Sequence, residues 1–253
     1  MSSYTALRHQ HTSLQFSDTP EQQEKDVKKL FEKGQSFPIK TGTESGSDNA
    51  LFELVEFYAK KFDHILNRAQ GNWVAVDRSI IKKRTQRRGH VFVVDNDRLV
   101  GRQNHRDFPW IQFTHVKPGV GTIAVAGFHY STRGRLPMDP NHDTNKLYAE
   151  KIARWMEEFA KGSRIALGAG DFNMIDKVRN QDWAFGHGFT SMGDELKRYP
   201  NTGHGPIDGF VSWDHDGRVK AKKLVVLDDS EMHMHTDHFV LRGTWSIRHM
   251  KES

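Results

Sequence analysis

The sequence predicts an α+β fold in which two β-sheets pack face to face and helices cover their outer sides. Three observations support this prediction. Short strand-like stretches dominate the chain, helical patterns interrupt them at only a few places, and the order is neither a strict strand–helix alternation nor a run of strands alone. No linker-like segment divides the chain, so we expect a single domain over residues 1–253.

Helical patterns occupy three segments. Residues 19–34 begin with threonine and proline and end with glycine, which are typical start and stop residues of a helix. Residues 47–71 keep apolar side chains at a 3.6-residue period as far as Leu66, and this is the clearest predicted helix. Residues 144–162 repeat the same period and predict another helix.

The strand predictions depend on apolar runs, alternating or continuous, that are bounded by turn residues. The predicted strands cover residues 4–16, 36–45, 72–80, 90–97, 109–117, 121–131, 165–171, 205–213, 218–228 and 236–247.

The composition excludes several classes of function. Cysteine is absent, so no disulfide, thiolate metal site or cysteine nucleophile can form. No apolar stretch approaches the roughly 20 residues that span a bilayer, and the N-terminal stretch lacks the apolar core of a secretion signal. We therefore expect a cytoplasmic protein without a membrane partner.

The formal net charge is +5, which favours polyanionic partners, nucleic acid first. Much of this charge lies in one segment, here called the basic cluster: Lys82, Lys83, Arg84, Arg87 and Arg88. The cluster is interpreted either as a contact surface for backbone phosphates or as a solvated strand edge that its charge keeps soluble.

The stretch GDFN, residues 170–173, raises the main functional question. In an extended chain, residues two apart project to the same side, so Asp171 and Asn173 could reach one small ligand together. The alternative is a plain turn, because glycine, aspartate and asparagine all favour turns.

Other polar side chains also lie at predicted strand ends, where binding sites are commonly built. Each of them alone could be a solvated or a satisfied buried group. Together they suit phosphodiester hydrolysis: Glu44 offers a hard oxygen ligand for Mg²⁺ or Mn²⁺, and His238 offers a general base whose tautomer a neighbouring aspartate would fix. The candidates at these strand ends are Glu44, His129, Asp208, Asp237 and His238.

The ordered set of Glu44, FHYS, GDFN, PIDGF and TDHF resembles the endonuclease/exonuclease/phosphatase superfamily, which includes DNase I, over nearly the whole chain. The resemblance implies a DNase I-like four-layer α/β/β/α sandwich with two mostly antiparallel sheets. It also implies a magnesium-dependent phosphodiesterase or nuclease with its site at one edge of the paired sheets.

The resemblance assigns a role to each candidate. Glu44 would bind the divalent metal, with Asp237 as a further ligand. His238, held in place by its neighbours Asp237 or Asp208, would activate the attacking water. His129 would contact the phosphate or protonate the leaving group. Asp171 and Asn173 would lie beside the scissile phosphate, and Asp208 would lie beside the general base.

Three positions depart from the family pattern. The family's first strand ends with an asparagine near the metal, and this chain has none there. Gln10 is the best substitute as a metal ligand, with His9 and His11 as alternatives. Gly127 stands where the family often has asparagine, and a threonine instead of glutamine precedes Glu44.

Arg133 and Arg135 are candidate phosphate clamps, because guanidinium groups contact oxyanions in a bidentate manner; exposed loop arginines are the alternative. No segment has the pattern of a base-specific reader, so the first hypothesis is a sequence-tolerant nuclease. DNA is favoured over RNA as its nucleic-acid partner, and the sequence does not decide between them. The second is hydrolysis of an inositol phosphate or phospholipid head group. The third is a catalytically silent module that binds nucleic acid or protein.

Overall fold

The described part of the chain forms two six-stranded β-sheets and three α-helices. The computed structural model describes residues 3–14, 19–43, 49–94, 105–129, 142–162, 164–172, 190–191, 208–227, 232, 234, 238 and 240–250. The strands are β1 (Tyr4–Ser13), β2 (Ile39–Thr43), β3 (His64–Ala69), β4 (Asn72–Asp77), β5 (Arg87–Val94), β6 (His105–Thr114), β7 (Thr122–His129), β8 (Ile165–Asp171), β9 (Thr190–Ser191), β10 (Asp208–Trp213), β11 (Val219–Leu227) and β12 (Val240–Arg248). The helices are α1 (Pro20–Glu32), α2 (Asn49–Lys61) and α3 (His142–Ala160).

Both sheets are mixed. The first has the strand order β11-β12-β1-β2-β4-β3, and the second has the order β5-β6-β7-β8-β10-β9. Only the β1–β2 and β7–β8 pairs are parallel among the described pairings. The first strand pairs with the last, from Tyr4 opposite Arg248 to His11 opposite Leu241.

Three apolar layers hold the elements together. Side chains such as Leu7, Val74 and Leu167 fill the space between the two sheets. A second layer joins α1 and α2 to the outer side of the first sheet around Trp73, and a third joins α3 to the outer side of the second sheet around Phe128. Each fully buried large side chain contributes roughly 1.5–3 kcal/mol. The predicted packing of two sheets with outer helices is therefore confirmed.

The start of α1 follows the predicted cap. The Thr19 hydroxyl accepts a hydrogen bond from the backbone N–H of Gln22, and the Gln22 side chain accepts one from the Thr19 N–H at 3.0 Å. This reciprocal arrangement satisfies two donors that the first helical turn leaves without partners. None of the helices in the described ranges is long and apolar enough to cross a membrane.

The predicted helix over residues 47–71 is wrong in its second half. The helix ends at Lys61, and β3 follows as one arm of a hairpin with β4. Asp63 has a left-handed φ of 54°, which breaks the helix, and Gln70 and Gly71 have φ values of 45° and 83°. Two successive positive φ values are typical of the tight turn that joins twisted antiparallel strands. Neighbouring apolar side chains of β3 pack on opposite sides of the sheet, and this alternation was mistaken for a helical period.

A fully buried lysine on β2 ties the segment after α1 to the first sheet. The Lys40 ammonium donates to the carbonyls of Gly34 at 3.0 Å and Phe37 at 2.6 Å, and to Nε2 of His64 at 3.0 Å. Burial lowers the pKa of Lys40 to about 7. Burial, followed by the charge of Lys40, lowers the pKa of His64 to about 4.

We expect the stability of the fold to depend on pH through Lys40. The folded protein releases this proton near its lowered pKa of about 7, whereas an unfolded lysine keeps its proton up to about pH 10.4. Between these two values the unfolded chain binds more protons. The contribution of Lys40 to the free energy of unfolding therefore rises with pH, by at most about 1.4 kcal/mol per pH unit.

Urea unfolding of the wild type and of Lys40→Met, between about pH 6 and pH 10, measures this dependence. The wild type should gain stability relative to Lys40→Met as the pH rises. Lys60→Met, at an exposed position of α2, should show the same pH dependence as the wild type. Parallel curves for wild type and Lys40→Met would contradict the lowered pKa.

Candidate active site

Three neighbouring strands of the second sheet place polar residues side by side at one edge. His129 is the last residue of β7, Asp171 is the last of β8, and Asp208 is the first of β10. The strand register sets Asp171 beside His129 in the parallel pair and opposite Asp208 in the antiparallel pair. These three residues are called the polar row.

His238 joins the polar row from the segment that leads into β12. Its Nδ1 lies 2.7 Å from Oδ2 of Asp208, and both side chains are buried. Burial by itself would raise the pKa of Asp208, but the charge and the hydrogen bond of His238, together with the nearby ring of His11, outweigh it and hold that pKa below its ordinary value. Asp208 is therefore an ionised carboxylate that orients the imidazole of His238.

The geometry fits a divalent cation. Ligand atoms of Asp171, Asp208 and His238 all lie within 4.8 Å of one another, and all three residues are buried. Two buried carboxylates on adjacent strands repel each other, and a cation between them removes this repulsion. Carboxylate oxygens are also the ligands that Mg²⁺ and Mn²⁺ prefer.

His129 lies at the border of the cluster formed by Asp171, Asp208 and His238. Its Nε2 is 3.7 Å from Oδ2 of Asp171, and 14% of its side chain is exposed, against 1% for Asp171. A histidine at this position can contact both a bound substrate and the buried carboxylate beneath it. The structure therefore brings together four of the residues that the sequence singled out: His129, Asp171, Asp208 and His238.

The first sheet approaches the same cluster through β1. His9 and His11 are fully buried, and their rings meet the ring of Phe210 edge-on, with centroids 4.8 Å and 6.4 Å apart. His9 Nε2 and His11 Nδ1 each lie 3.0 Å from the hydroxyl of Thr41. His11 Nε2 lies 3.7 Å from Oδ1 of Asp208.

Gln10 lies on the opposite side of β1 and is not brought to the cluster. Its Nε2 donates to the carbonyl of Leu30 at 3.1 Å, and its Oε1 accepts from Nε of Arg242 at 3.0 Å. Both contacts belong to the layer between the first sheet and α1. This placement disfavours Gln10 as a metal ligand, and of the alternatives at this strand His11 is the residue nearest to Asp208.

Several predicted site residues fall outside the described residues, and their roles stay predictions. Glu44 directly follows the end of β2, and Asn173 follows Asp171 by two positions in the sequence. The full set outside the described ranges is Glu44, Arg133, Arg135, Asn173 and Asp237. Two residues beside the site were not singled out from the sequence, Thr41 and Phe210, because each has the pattern of an ordinary strand residue.

Glycines allow the strands of the polar row to pack closely. Gly170 lies within β8, and a Cβ there would overlap the carbonyl oxygen and the ring of Phe128. A Cβ at Gly127 would lie 2.8 Å from the carbonyl oxygen of Trp73, in the opposite sheet. Close packing inside β8 therefore requires a glycine at the first position of GDFN. Gly170 and Asp171 belong to this strand, so the plain turn considered for them is wrong.

The basic cluster lies at the other end of the second sheet. Its residues are exposed, and β5 begins at Arg87 beside the end of β6. The end of β6 lies in turn beside the start of β7, at Thr122, whereas His129 is at the end of β7. Strands of this length span roughly 25 Å, so the basic cluster does not border the polar row.

Comparisons with known proteins give the fold. No protein-family model and no curated protein matches the sequence. An endonuclease/exonuclease/phosphatase from Bacteroides vulgatus matches with a TM-score of 0.67 at 15% identity, over 96% of this chain and 99% of that one. The mannosyl-6-phosphatase of Bacteroides thetaiotaomicron matches with a TM-score of 0.64 at 12% identity, over 94% and 99%.

A third solved structure, D. rerio TDP2 complexed with a single-strand DNA product, matches with a TM-score of 0.61 at 8% identity, over 95% of this chain and 99% of that one. Together these matches show that the chain has the fold of the endonuclease/exonuclease/phosphatase proteins. The fold class and the resemblance inferred from the sequence are confirmed at this level.

We expect Gly170→Ala to destabilise the protein by about 1–3 kcal/mol, since overpacking a filled interior forces backbone shifts of this cost. Urea unfolding followed by circular dichroism measures the loss. Gly162→Asn serves as the control, because position 162 has open space around it and a φ of +71° that asparagine tolerates. Equal stabilities for the two variants would contradict the packing role of Gly170.

Proposed function

We propose that this protein is a metal-dependent phosphoesterase whose general base is His238. The observation that supports it best is the 2.7 Å contact between His238 Nδ1 and the buried Oδ2 of Asp208. The phosphate ester of the substrate would bind at the polar row, beside the partly exposed His129. The shared fold supports the same reaction class, because a mannosyl-6-phosphatase has this fold.

The pair works as an oriented base. Asp208 accepts the proton on Nδ1 of His238, so Nε2 keeps a free electron pair that can take a proton from water. The negative charge of Asp208 then stabilises the imidazolium that forms. Burial of both groups strengthens this interaction, because little water screens it.

The polar row would also bind the metal cation and the phosphate. Asp171 and Asp208 would hold the cation together with the predicted ligands Glu44 and Asp237. Once bound, Mg²⁺ or Mn²⁺ supplies Lewis-acid polarisation of a phosphoryl oxygen. His129, partly exposed beside Asp171, would contact the phosphate or donate a proton to the leaving group.

For the substrate, we place nucleic acid first, with DNA before RNA. The net charge of +5 supports a polyanion, and the structure of D. rerio TDP2 with the same fold contains a single-strand DNA product. Arg133 and Arg135 would contact backbone phosphates next to His129. Because the basic cluster lies at the far end of the sheet, these arginines would have to provide much of the local positive charge.

A small phosphorylated molecule, such as a sugar or inositol phosphate, is the second candidate. The remote position of the basic cluster favours it, because a long duplex would gain little from charges at the other end of the sheet. The mannosyl-6-phosphatase with this fold gives a precedent for a small substrate.

A substrate panel tests these proposals. The purified protein is incubated with plasmid, single-stranded DNA, RNA, a sugar phosphate, an inositol phosphate and a lipid phosphodiester, with Mg²⁺, with Mn²⁺ or with a chelator. Cleavage of nucleic acid supports the first candidate, and cleavage of the small substrates alone supports the second. Binding of nucleic acid without any turnover would overturn the enzyme proposal and indicate a silent binding module.

We expect His238→Ala to lower the hydrolysis rate by about 10²–10⁴-fold, the usual range for the loss of a general base. Initial rates at saturating metal measure the effect. His90→Ala is the matched control, because His90 is exposed on β5 and should leave the rate unchanged. A rate for His238→Ala within twofold of the wild type would remove His238 from the mechanism.

We expect Asp208→Asn to cause a loss of similar size, because an amide can donate its own proton to Nδ1 and thereby favours the wrong tautomer of His238. Its pH–rate profile should also change, since the imidazolium loses its stabilising charge. Asp63→Asn is the control: Asp63 is paired with Arg78 at an exposed position, and asparagine tolerates its φ of 54°. An Asp208→Asn enzyme with an unchanged rate and profile would show that the 2.7 Å contact has no catalytic role.

A further inference from the structure

Two features lie together at the end of the second sheet opposite the polar row, and the proposed reaction uses neither. One is the basic cluster, which reaches β5 at Arg87. The other is a row of aromatic rings that ends at Arg164, the residue before β8. Because β8 begins at Ile165, beside Ile123 at the start of β7, Arg164 lies at the same end as Arg87. Three strand spacings separate the two arginines, roughly 14 Å in all.

The charge of the basic cluster is not neutralised within the described part of the chain. All five side chains are exposed, and the described ion pairs join other residues. Arg88 donates from Nη1 to the carbonyl of Leu66 at 2.9 Å, a contact that leaves its positive charge uncompensated. The cluster can therefore offer its charge to an external polyanion.

A rigid turn presents the first cations of the cluster. The Thr85 hydroxyl donates to the carbonyl of Lys82 at 2.7 Å and accepts from the backbone N–H of Thr114 at 3.0 Å. The N–H of Lys82 donates to the carbonyl of Thr114 at 2.8 Å. Arg84 has a left-handed φ of 63°, which glycine or asparagine would adopt with less strain. An arginine at such a position indicates a use for its side chain.

The aromatic row consists of Trp110 on β6 and Trp155 and Phe159 on α3. The ring centroids of Trp110 and Trp155 are 6.2 Å apart with planes inclined by 36°, and those of Trp155 and Phe159 are 6.0 Å apart with planes inclined by 24°. The guanidinium of Arg164 lies 5.0 Å from the centroid of the Phe159 ring. All three rings are partly exposed, so the row is a surface of nearly parallel rings with a cation at one end.

Gly89 joins the aromatic row to the basic cluster. A Cβ at Gly89 would lie 2.4 Å from the ring of Trp110, so this indole rests directly on the backbone of β5. Val91, two residues further along, packs in the layer between the second sheet and α3. Alternate residues of a strand project to the same side, so Arg87 faces the same side of the sheet as the aromatic row.

We propose that the aromatic row and the basic cluster together bind single-stranded nucleic acid, at a surface separate from the polar row. Lysine and arginine contact the backbone phosphates, and aromatic rings stack on unpaired bases whatever their sequence. A duplex keeps its base faces covered and would use the charges alone. An anionic membrane would also use only the charges, because the rings pack against one another and α3 instead of projecting from the surface.

The test measures binding of a labelled single strand of about 15 nucleotides by fluorescence anisotropy, with a chelator present to prevent metal-dependent turnover. The wild type should bind it more tightly than a duplex of the same sequence or a vesicle of phosphatidylserine and phosphatidylcholine. Trp155→Leu should raise the Kd by about 10-fold or more, whereas Trp155→Phe keeps a ring and should restore most of the affinity. Phe57→Leu is the control, because Phe57 is an exposed ring on α2 and should leave the Kd unchanged.

The salt dependence of binding tests the cations. A triple variant carries Lys82→Gln, Lys83→Gln and Arg84→Asn, and asparagine tolerates the left-handed backbone at position 84. Each phosphate contact to a single strand contributes about 0.7 to the slope of log Kd against log salt concentration. Loss of three contacts should therefore lower this slope by about 2.

A second triple variant removes the same charge from exposed positions elsewhere: Lys25→Gln, Lys60→Gln and Lys222→Gln. Its slope should equal that of the wild type. Equal losses in the two triple variants would show that net charge alone attracts the strand, and the proposal would then be wrong.

Three other results would also contradict the proposal: equal affinity for single strand and duplex, tighter binding to the vesicle, or wild-type affinity in Trp155→Leu. Sedimentation without nucleic acid adds a further check, since a dimer that Trp155→Leu dissociates would identify a second copy of the chain as the occupant. Circular dichroism shows whether each variant folds. If Trp155→Leu does not fold, Phe159→Leu and its ring contact take its place.

This inference goes beyond the proposed function, and the two can fail separately. The surface lies about 25 Å from the polar row, so its variants should keep the wild-type kcat/KM on a small phosphate ester. Single-strand binding that depends on Trp155, without turnover of any substrate, would overturn the phosphoesterase proposal alone. Turnover that depends on His238, without single-strand binding at this surface, would overturn the binding proposal alone.

Discussion

The buried charge of Asp208 is the constraint on which the arrangement of this site depends. An isolated carboxylate is very unfavourable in a protein interior, and Asp208 is fully buried at the start of β10 in the second sheet. Its partners come from the other sheet: His238 from the segment before β12, and His11 from β1. The site is therefore complete only when the two sheets are packed against each other. The buried carboxylate of Asp208 is stabilised by that packing, and the same packing places His238 for its proposed role.

The sequence predicted much of this arrangement because each polar-row residue borders an apolar run: β7 and β8 end at one, and β10 begins at one. In the parallel pair β7–β8, residues at the ends of strands necessarily meet at one edge, which brings His129 to Asp171. The antiparallel strand β10 begins at that edge and adds Asp208. Local sequence pattern gives the ends of the strands but not which strands are neighbours in the sheet. The family resemblance supplied that strand order.

Two features could not be predicted from local pattern. Both faces of β1 are buried from His9 to Ser13, because a sheet covers one face and helices cover the other. Alternation therefore could not show whether Gln10 or His11 faces the site. In the segment after α2, apolar side chains on both faces of β3 have the same spacing as a helical stripe, and only the left-handed Asp63 separates the two elements.

The order of the first sheet has a consequence for how the chain folds. β1 is at its centre, between β2 and β12, and Tyr4 lies opposite Arg248. During synthesis β1 is made well before β12, so the second edge of β1 stays unpaired until β12 has left the ribosome. Long-range closure of this kind slows folding, and chaperones that shield exposed strand edges would act on the nascent chain during that interval.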